Sequence, residues 1–249
     1  MDTPIPQPKS RTIHKIDMHS PALADRDIRM LPAYGVAEAA HYLRMPPSTL
    51  RAWMMGARGF APVFRLPVGT DGGPLSFVNL VEAHVLDAVR REHRISMQKV
   101  RRALRYLEEA LGSYHPLVEY QLETDGIDLF VEQFGQLINA SRAGQLAIRK
   151  LLEAHLQRLD RDPAGFPVRL FPFTRKRADS QSLDEPRAVV IDPHVSFGRP
   201  VISGTGIPTA VIAERYKAGE AIAELAEDYG RESLEIEEAI RCELTRKAA

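Results

Sequence analysis

The residues of this chain whose types and spacing could do chemistry are cations, not a nucleophile with its base. Ser48, Thr49 and Arg51 follow a Pro-Pro step, Arg58 and Arg65 lie on either side of a short apolar run, and Lys99, Arg101, Arg102 and Arg105 crowd one stretch. Ammonium and guanidinium groups in such series neutralise phosphates and displace their counterions. From Val85 to Leu107 there are seven Lys/Arg against two acids (Asp87, Glu92), whereas Glu220 to Glu243 carries nine acids and two arginines. Opposite signs at the two ends suggest two surfaces with different partners.

Other groups are set aside. Ser203-Gly204-Thr205-Gly206 resembles a phosphate loop, but no Gly-Lys-Ser/Thr follows it. His14, His19, His93 and His194 have no metal-ligand spacing. Asp192, ahead of a glycine-rich loop, is expected to accept turn hydrogen bonds rather than to act in catalysis. The single cysteine, Cys242, excludes an internal disulfide and a cysteine metal cluster, fits a reducing cytoplasm, and is expected to be a small core hydrophobe. No catalytic residue, metal site or cofactor is assigned.

These cations need elements to position them. Val36, Ala39, Ala40 and Leu43 recur at i, i+3, i+4 and i+7, the period of an amphipathic helix. After the break at Met45-Pro46-Pro47, Ser48 is expected to cap a second helix. Leu50, Trp53 and Met54 would bury its inner face and leave Thr49, Arg51 and Ala52 outward, which is how a helix-turn-helix approaches a major groove. An ordinary helical hairpin has the same spacing. Next, Val63 to Pro67 and Leu75-Ser76-Phe77 frame a Gly-rich turn and read as a hairpin, a wing carrying Arg65 with Arg58 just before it. A helix follows, with Asn79 as N-cap and Glu82 as its reciprocal partner. A basic helix then buries Val100, Ala103, Leu104 and Leu107; its cations are either solvated or supply phosphate attraction beside the wing.

With 249 residues, 44% apolar and 27% charged, the chain is globular, and no apolar run reaches membrane-spanning length. The formal net charge is zero, which alone counts against nucleic-acid binding. The Pro-rich first 30 residues read as a flexible tail, or as a minor-groove arm using Lys9, Arg11 and Lys15. In the middle, Val118-Tyr120-Leu122 and Ile127-Leu129-Val131 alternate around Thr124-Asp125-Gly126 and read as a hairpin, with further short strands near Phe134 and Leu137-Ile138. Gln145 to Leu159 reads as a helix, and Val168 to Phe173 as a strand. Lys176 to Pro186 is a linker candidate. The C-terminal part starts with a strand over Ala188 to Ile191. Glycine-directed turns follow, then helices over Thr209 to Ala218, Glu220 to Tyr229 and Ser233 to Arg246.

The order helix, helix, wing, helix, basic helix over about Leu31 to Leu111 resembles the MerR type of winged helix-turn-helix. That resemblance implies DNA contact through the second helix and wing, and dimeric binding to a two-fold operator. The C-terminal string is Asp192-Pro193, Gly198-Arg199-Pro200-Val201-Ile202, Gly204-Thr205-Gly206-Ile207-Pro208, Ala218-Gly219-Glu220 and Asp228-Tyr229, with Ile236 and Ala239-Ile240. It resembles the trihelical, homeodomain-like domain of VapB-type antitoxins, although Gly206 stands where most members have arginine. The resemblance implies an antitoxin that blocks a PIN-like ribonuclease and represses its own operon. Glu235, Glu237, Glu238 and Glu243 would repel phosphates, so the acidic end is expected to meet the toxin and the basic front the operator.

The expected fold class is therefore α+β, mainly α. It comprises a tail (1–30), a winged helix-turn-helix (31–111), a small sheet-plus-helix module that dimerises or acts as a scaffold (112–175), a linker (176–187) and a trihelical antitoxin domain (188–249). Expected DNA contacts are Ser48, Thr49, Arg51, Arg58, Arg65, Lys99 and Arg102. Expected partner contacts are Arg199, Ile202, Thr205, Ile207, Glu235 and Glu238. The alternatives are a free-standing MerR-like regulator with a C-terminal sensing domain, and a structural or enzyme-accessory adaptor.

Overall fold

Apolar residues at helical spacing and prolines at the joints organise most of the chain. The computed structural model describes residues 27–56, 61–63, 65–67, 73–93, 97–119, 122, 126–138, 142–175 and 185–244. The elements are α1 (Val36–Tyr42), α2 (Pro47–Met55), α3 (Phe77–His93), α4 (Met97–Leu111), α5 (Ile127–Ile138), α6 (Arg142–Leu156), β1 (Leu159–Arg161), β2 (Pro167–Leu170), β3 (Val189–Val190), β4 (Val201–Ile202), α7 (Thr209–Lys217), α8 (Ile222–Tyr229) and α9 (Ser233–Glu243). The fold is mostly helical, with two antiparallel two-stranded sheets among the described residues.

Pro47 opens α2 at a position where a missing N–H costs nothing, so the helix begins one residue before Ser48 and Ser48 is not its cap. Leu50, Trp53 and Met54 are buried as expected, and removing a side chain of that size from water stabilises by roughly 1.5–3 kcal/mol. The strand expected at Leu75-Ser76-Phe77 does not form as half of a wing. Leu75 makes an antiparallel bridge with Tyr34, and Phe77 opens α3. No strand is assigned to 61–63, 65–67 or 73–74, and the Gly-rich tip at 68–72, with Arg58, lies outside the described residues. Ser76, not Asn79, caps α3. Its hydroxyl accepts from the Asn79 N–H at 3.2 Å, and Asn79 Oδ1 accepts from the Ser76 N–H at 3.3 Å.

The hairpin expected from Val118 to Val131 is also corrected. Ile127 to Ile138 is one helix, and Ile127, Phe130, Val131 and Phe134 are all buried at i, i+3, i+4 and i+7. The Ile127-Leu129-Val131 alternation is the short-range shadow of that longer helical period. It also removes the strands expected near Phe134 and Leu137-Ile138. Tyr120, Thr124 and Asp125 lie outside the described residues. Helix α6 stops at Leu156, and Leu159, expected to be the last residue of that helix, instead opens strand β1, which pairs with β2.

One apolar core runs without a break from Tyr34 and Trp53 through α3 to α6 and on to Leu170 and Ile191. The expected boundary at 111/112 therefore coincides with no gap in the packing. A second core, around Ile202, Ile212, Leu225, Ile236, Ala239 and Ile240, holds α7, α8 and α9 together. Leu170 bridges Ile191, so β2 leads directly into the C-terminal unit.

Candidate nucleic-acid and partner surfaces

On α2, Ser48, Arg51 and Met55 fall on one helical face and are exposed, with Thr49 half-buried beside them. The opposite face, carrying Trp53, fixes the helix against the core, so this open side is held rigidly. Beyond α2, the Val63 N–H donates to the Trp53 carbonyl at 2.7 Å, and Arg101 Nε of α4 donates to the Ala61 carbonyl at 2.7 Å. Arg101 thus ties α4 to the segment that follows α2. Lys99 and Arg102 are exposed on that same helix. Arg65 is exposed, with its guanidinium stacked 4.0 Å above the Tyr114 ring and its carbonyl accepting from Asn79 Nδ2 at 2.9 Å. The expected basic residues that are described lie on α2, on α4 and on the segment between α2 and α3. Tyr114, which stacks against the Arg65 guanidinium, gives no sign of that positioning role in the sequence.

Beneath Arg65, the buried Glu82 accepts from Asn79 Nδ2 and meets His115 Nδ1, each at 2.9 Å. Burial alone would lower the His115 pKa, but the Glu82 charge and hydrogen bond outweigh it and hold the imidazolium above its ordinary value.

The C-terminal surface differs from expectation. Ile202 is fully buried in the trihelical core and Glu238 is 0% exposed, so neither is presented to a partner. Glu238 accepts from Thr174 Oγ1, from Arg175 Nε at 2.8 Å and from Arg241 Nη1 at 2.5 Å. Burial would raise its pKa, but these hydrogen bonds outweigh that and hold the carboxyl below the usual range. The other acids of α9 are engaged as well. Glu237 pairs with Arg241, and Glu235 pairs with Arg231 while accepting from the Glu232 N–H. Glu243 accepts from Thr209 Oγ1 and stands 3.9 Å from His41. Glu238 is thus held inside the fold, and Glu235, Glu237 and Glu243 are part-exposed and paired within the chain, which a count of charges along the sequence does not reveal. Thr205 Oγ1 donates to the Ile202 carbonyl at 2.8 Å and accepts from the Ile207 N–H at 3.1 Å, while Ile207 packs partly buried on the second core. Cys242 is buried as expected, and burial pushes its thiol up to about 12. Asp192 Oδ1 accepts from the His194 N–H at 2.9 Å, the turn role expected for it.

Among the described residues, contacts at Glu38, His41, Tyr34 and Arg44 join the C-terminal unit to the front of the chain. Arg199 pairs with Glu38 on α1, and His41 faces Glu243. Tyr34 lies against Gly198, and Arg44 bridges between the units. Arg44 occupies the turn between α1 and α2 with φ +52°; its guanidinium donates to the Phe173 carbonyl at 2.9 Å and to the Arg241 carbonyl in the last turn of α9.

A helix-turn-helix unit joined to a trihelical C-terminal unit is the class this geometry defines. Residues 32–104 match the family described as "Putative DNA-binding HTH domain", and residues 189–241 match "Protein of unknown function (DUF433)". The chain is 30% identical over 226 residues to "Putative antitoxin VapB45" of Mycobacterium tuberculosis, covering 80% of this chain and 89% of that one. The crystal structure of Rv2018 from Mycobacterium tuberculosis is 27% identical with a TM-score of 0.64, and the match covers 84% of this chain and 98% of that one. The chain belongs to the VapB45 family of VapB-type antitoxins. Together the matches support an antitoxin or DNA-binding role, with toxin and DNA as partners. No helix among the described residues is long and apolar enough to cross a membrane.

Proposed function

We propose that the chain neutralises a PIN-like ribonuclease encoded beside it and represses their shared operon as a dimer in the cytoplasm, without enzymatic activity of its own. Operator DNA is met by 31–111, through Ser48, Thr49 and Arg51 of α2, with Arg58, Arg65, Lys99 and Arg102 on phosphates. The unit 112–175 carries the dimer contact, and the toxin binds 188–249 through the accessible members of the expected set, Arg199, Thr205, Ile207 and Glu235. The observation that carries the reading is the exposed Ser48–Arg51 face on a helix anchored by Trp53. Removing one phosphate-neutralising cation should reduce the salt slope of log K by about 0.9. Replacing Arg51 and Lys99 by Ala should therefore flatten the slope by about 2 per protomer on a duplex of the chain's own promoter. An unchanged slope rejects the DNA assignment. Failure to co-purify with, or inhibit, the adjacent nuclease rejects the antitoxin assignment.

A further inference from the structure

Ser48, Arg51, Ala52 and Met55 recur at i, i+3, i+4 and i+7 on α2, and so share the face turned away from Leu50, Trp53 and Met54. Ser48, Arg51 and Met55 are exposed and Ala52 is half-buried. Met55, at 55%, is the most exposed large apolar side chain described between residues 31 and 111. The backbone under it is fixed on both sides. The Trp53 carbonyl accepts from the Val63 N–H at 2.7 Å, and Gly56 ends the helix with φ +73°. Arg51 makes no hydrogen bond or ion pair among the described residues, whereas Arg199, Arg215, Arg231 and Arg241 of the C-terminal unit all pair with carboxylates. A rigid helix face thus presents an unneutralised guanidinium and, one turn further on, a thioether left in water.

We propose that Met55 is a base-reading residue of this face and that it covers the 5-methyl group of a thymine. This rests on the operator reading above and names what one more residue of that surface recognises. An unpaired guanidinium on an anchored helix calls for an anionic occupant, and the match of residues 32–104 to a DNA-binding family points to duplex DNA. The base edges of a major groove are hydrogen-bond donors and acceptors, and the apolar group they offer is the thymine methyl. Seated against any other edge, the Met55 thioether would strip water from polar groups without replacing their hydrogen bonds. Methionine suits the methyl contact because its rotatable bonds and polarizable sulfur adapt to a small apolar target. Arg51 has the planar fork that fits O6 and N7 of guanine. Four residues of helix separate Arg51 from Met55 by about 6 Å, close to two base-pair steps, and Ala52 between them is small enough to let the groove floor approach. The operator therefore carries a thymine within about two steps of the pair that Arg51 meets.

The test uses the full chain and two duplexes of its own promoter, one with thymine and one with uracil at every thymine position, which removes the methyl groups and keeps the pairing. Affinities are read by fluorescence anisotropy, first at one salt concentration and then across a salt series. Covering a methyl-sized group is worth about fourfold in affinity, so the wild type should bind the uracil duplex about fourfold more weakly for each methyl that Met55 covers. Met55→Ala should weaken binding to the thymine duplex by about the same factor and leave the uracil duplex bound as the wild type binds it. Its salt slope should equal that of the wild type, since no cation is removed. Met55→Leu keeps an apolar tip at that place and should retain the discrimination. Alanine is the better helix former, so the exposed substitution leaves the fold intact. If the wild type binds both duplexes equally, or if Met55→Ala discriminates between them as the wild type does, the assignment of Met55 is overturned and the operator reading stands. A wild type that binds neither duplex takes both down.

Discussion

Replacing Glu238 separates an acid that builds the fold from one that meets a partner. The side chain is fully buried and receives hydrogen bonds from Thr174, Arg175 and Arg241. Breaking a buried ion pair by removing one member costs about 3–5 kcal/mol. Here the two guanidinium groups are 44% and 41% exposed and regain water, so the part of the loss owed to them shrinks toward surface values. Glu238→Ala should then lose about 2–3 kcal/mol. The near-isosteric Glu238→Gln keeps an acceptor for Thr174 and should lose about 1–2 kcal/mol. Urea unfolding near neutral pH reads both. Because the folded carboxyl titrates below its ordinary value of 4.5, its contribution is complete above that pH and is lost as pH falls through the lowered value. The wild-type stability curve should therefore decline on acidification with a component that Glu238→Gln lacks. A loss under about 0.5 kcal/mol for Glu238→Ala, or two superimposable acid limbs, would refute the assignment of this residue to the internal network.

Two further substitutions test the packing. Gly198→Ala puts a methyl group 2.3 Å from the Tyr34 hydroxyl at a φ of +75°, and should destabilise by about 2–4 kcal/mol in thermal unfolding; a change under about 1 kcal/mol would show that the Tyr34 ring yields freely. His115→Gln removes an imidazolium whose pKa is raised by Glu82. The wild-type advantage is full below pH 6.5 and fades as pH rises through the raised value, so the stability difference between wild type and variant should narrow as pH is taken upward from 6.5. A difference that stays constant across that range would show the Glu82 contact to be neutral.

Legibility in the sequence follows the range of the interaction. Leu50, Trp53 and Met54 betray the buried face of α2 because helical period and burial are both local. The C-terminal string from Asp192 to Ile240 is recognisable because prolines and glycines hold its turns at defined positions. Short apolar runs mislead. Ile127, Leu129 and Val131 satisfy a two-residue period over five positions, and only Phe130 and Phe134 extend the pattern into a helix. Leu75 reads as part of a wing because its partner, Tyr34, is forty-one residues earlier and carries no local signal. The charges of α9 read as a face because pairing partners at Arg175 and His41 are invisible in a linear count. Phe197 looks like one more residue of a glycine-rich loop, since nothing in its neighbours announces a left-handed backbone or near-complete exposure.

The reach of Arg44 limits how this protein can be cut and rejoined. From the turn inside the helix-turn-helix it satisfies carbonyls at Phe173 and at the end of α9, so the far terminus completes a part of the front. A chimera grafting 31–111 onto a foreign tail would keep a left-handed arginine reaching for oxygens no longer there, and would expose the α1 flank that Glu38 and His41 share with the missing helices. Such hybrids, unlike those made from beads on a flexible string, should need a replacement surface built along with the swap.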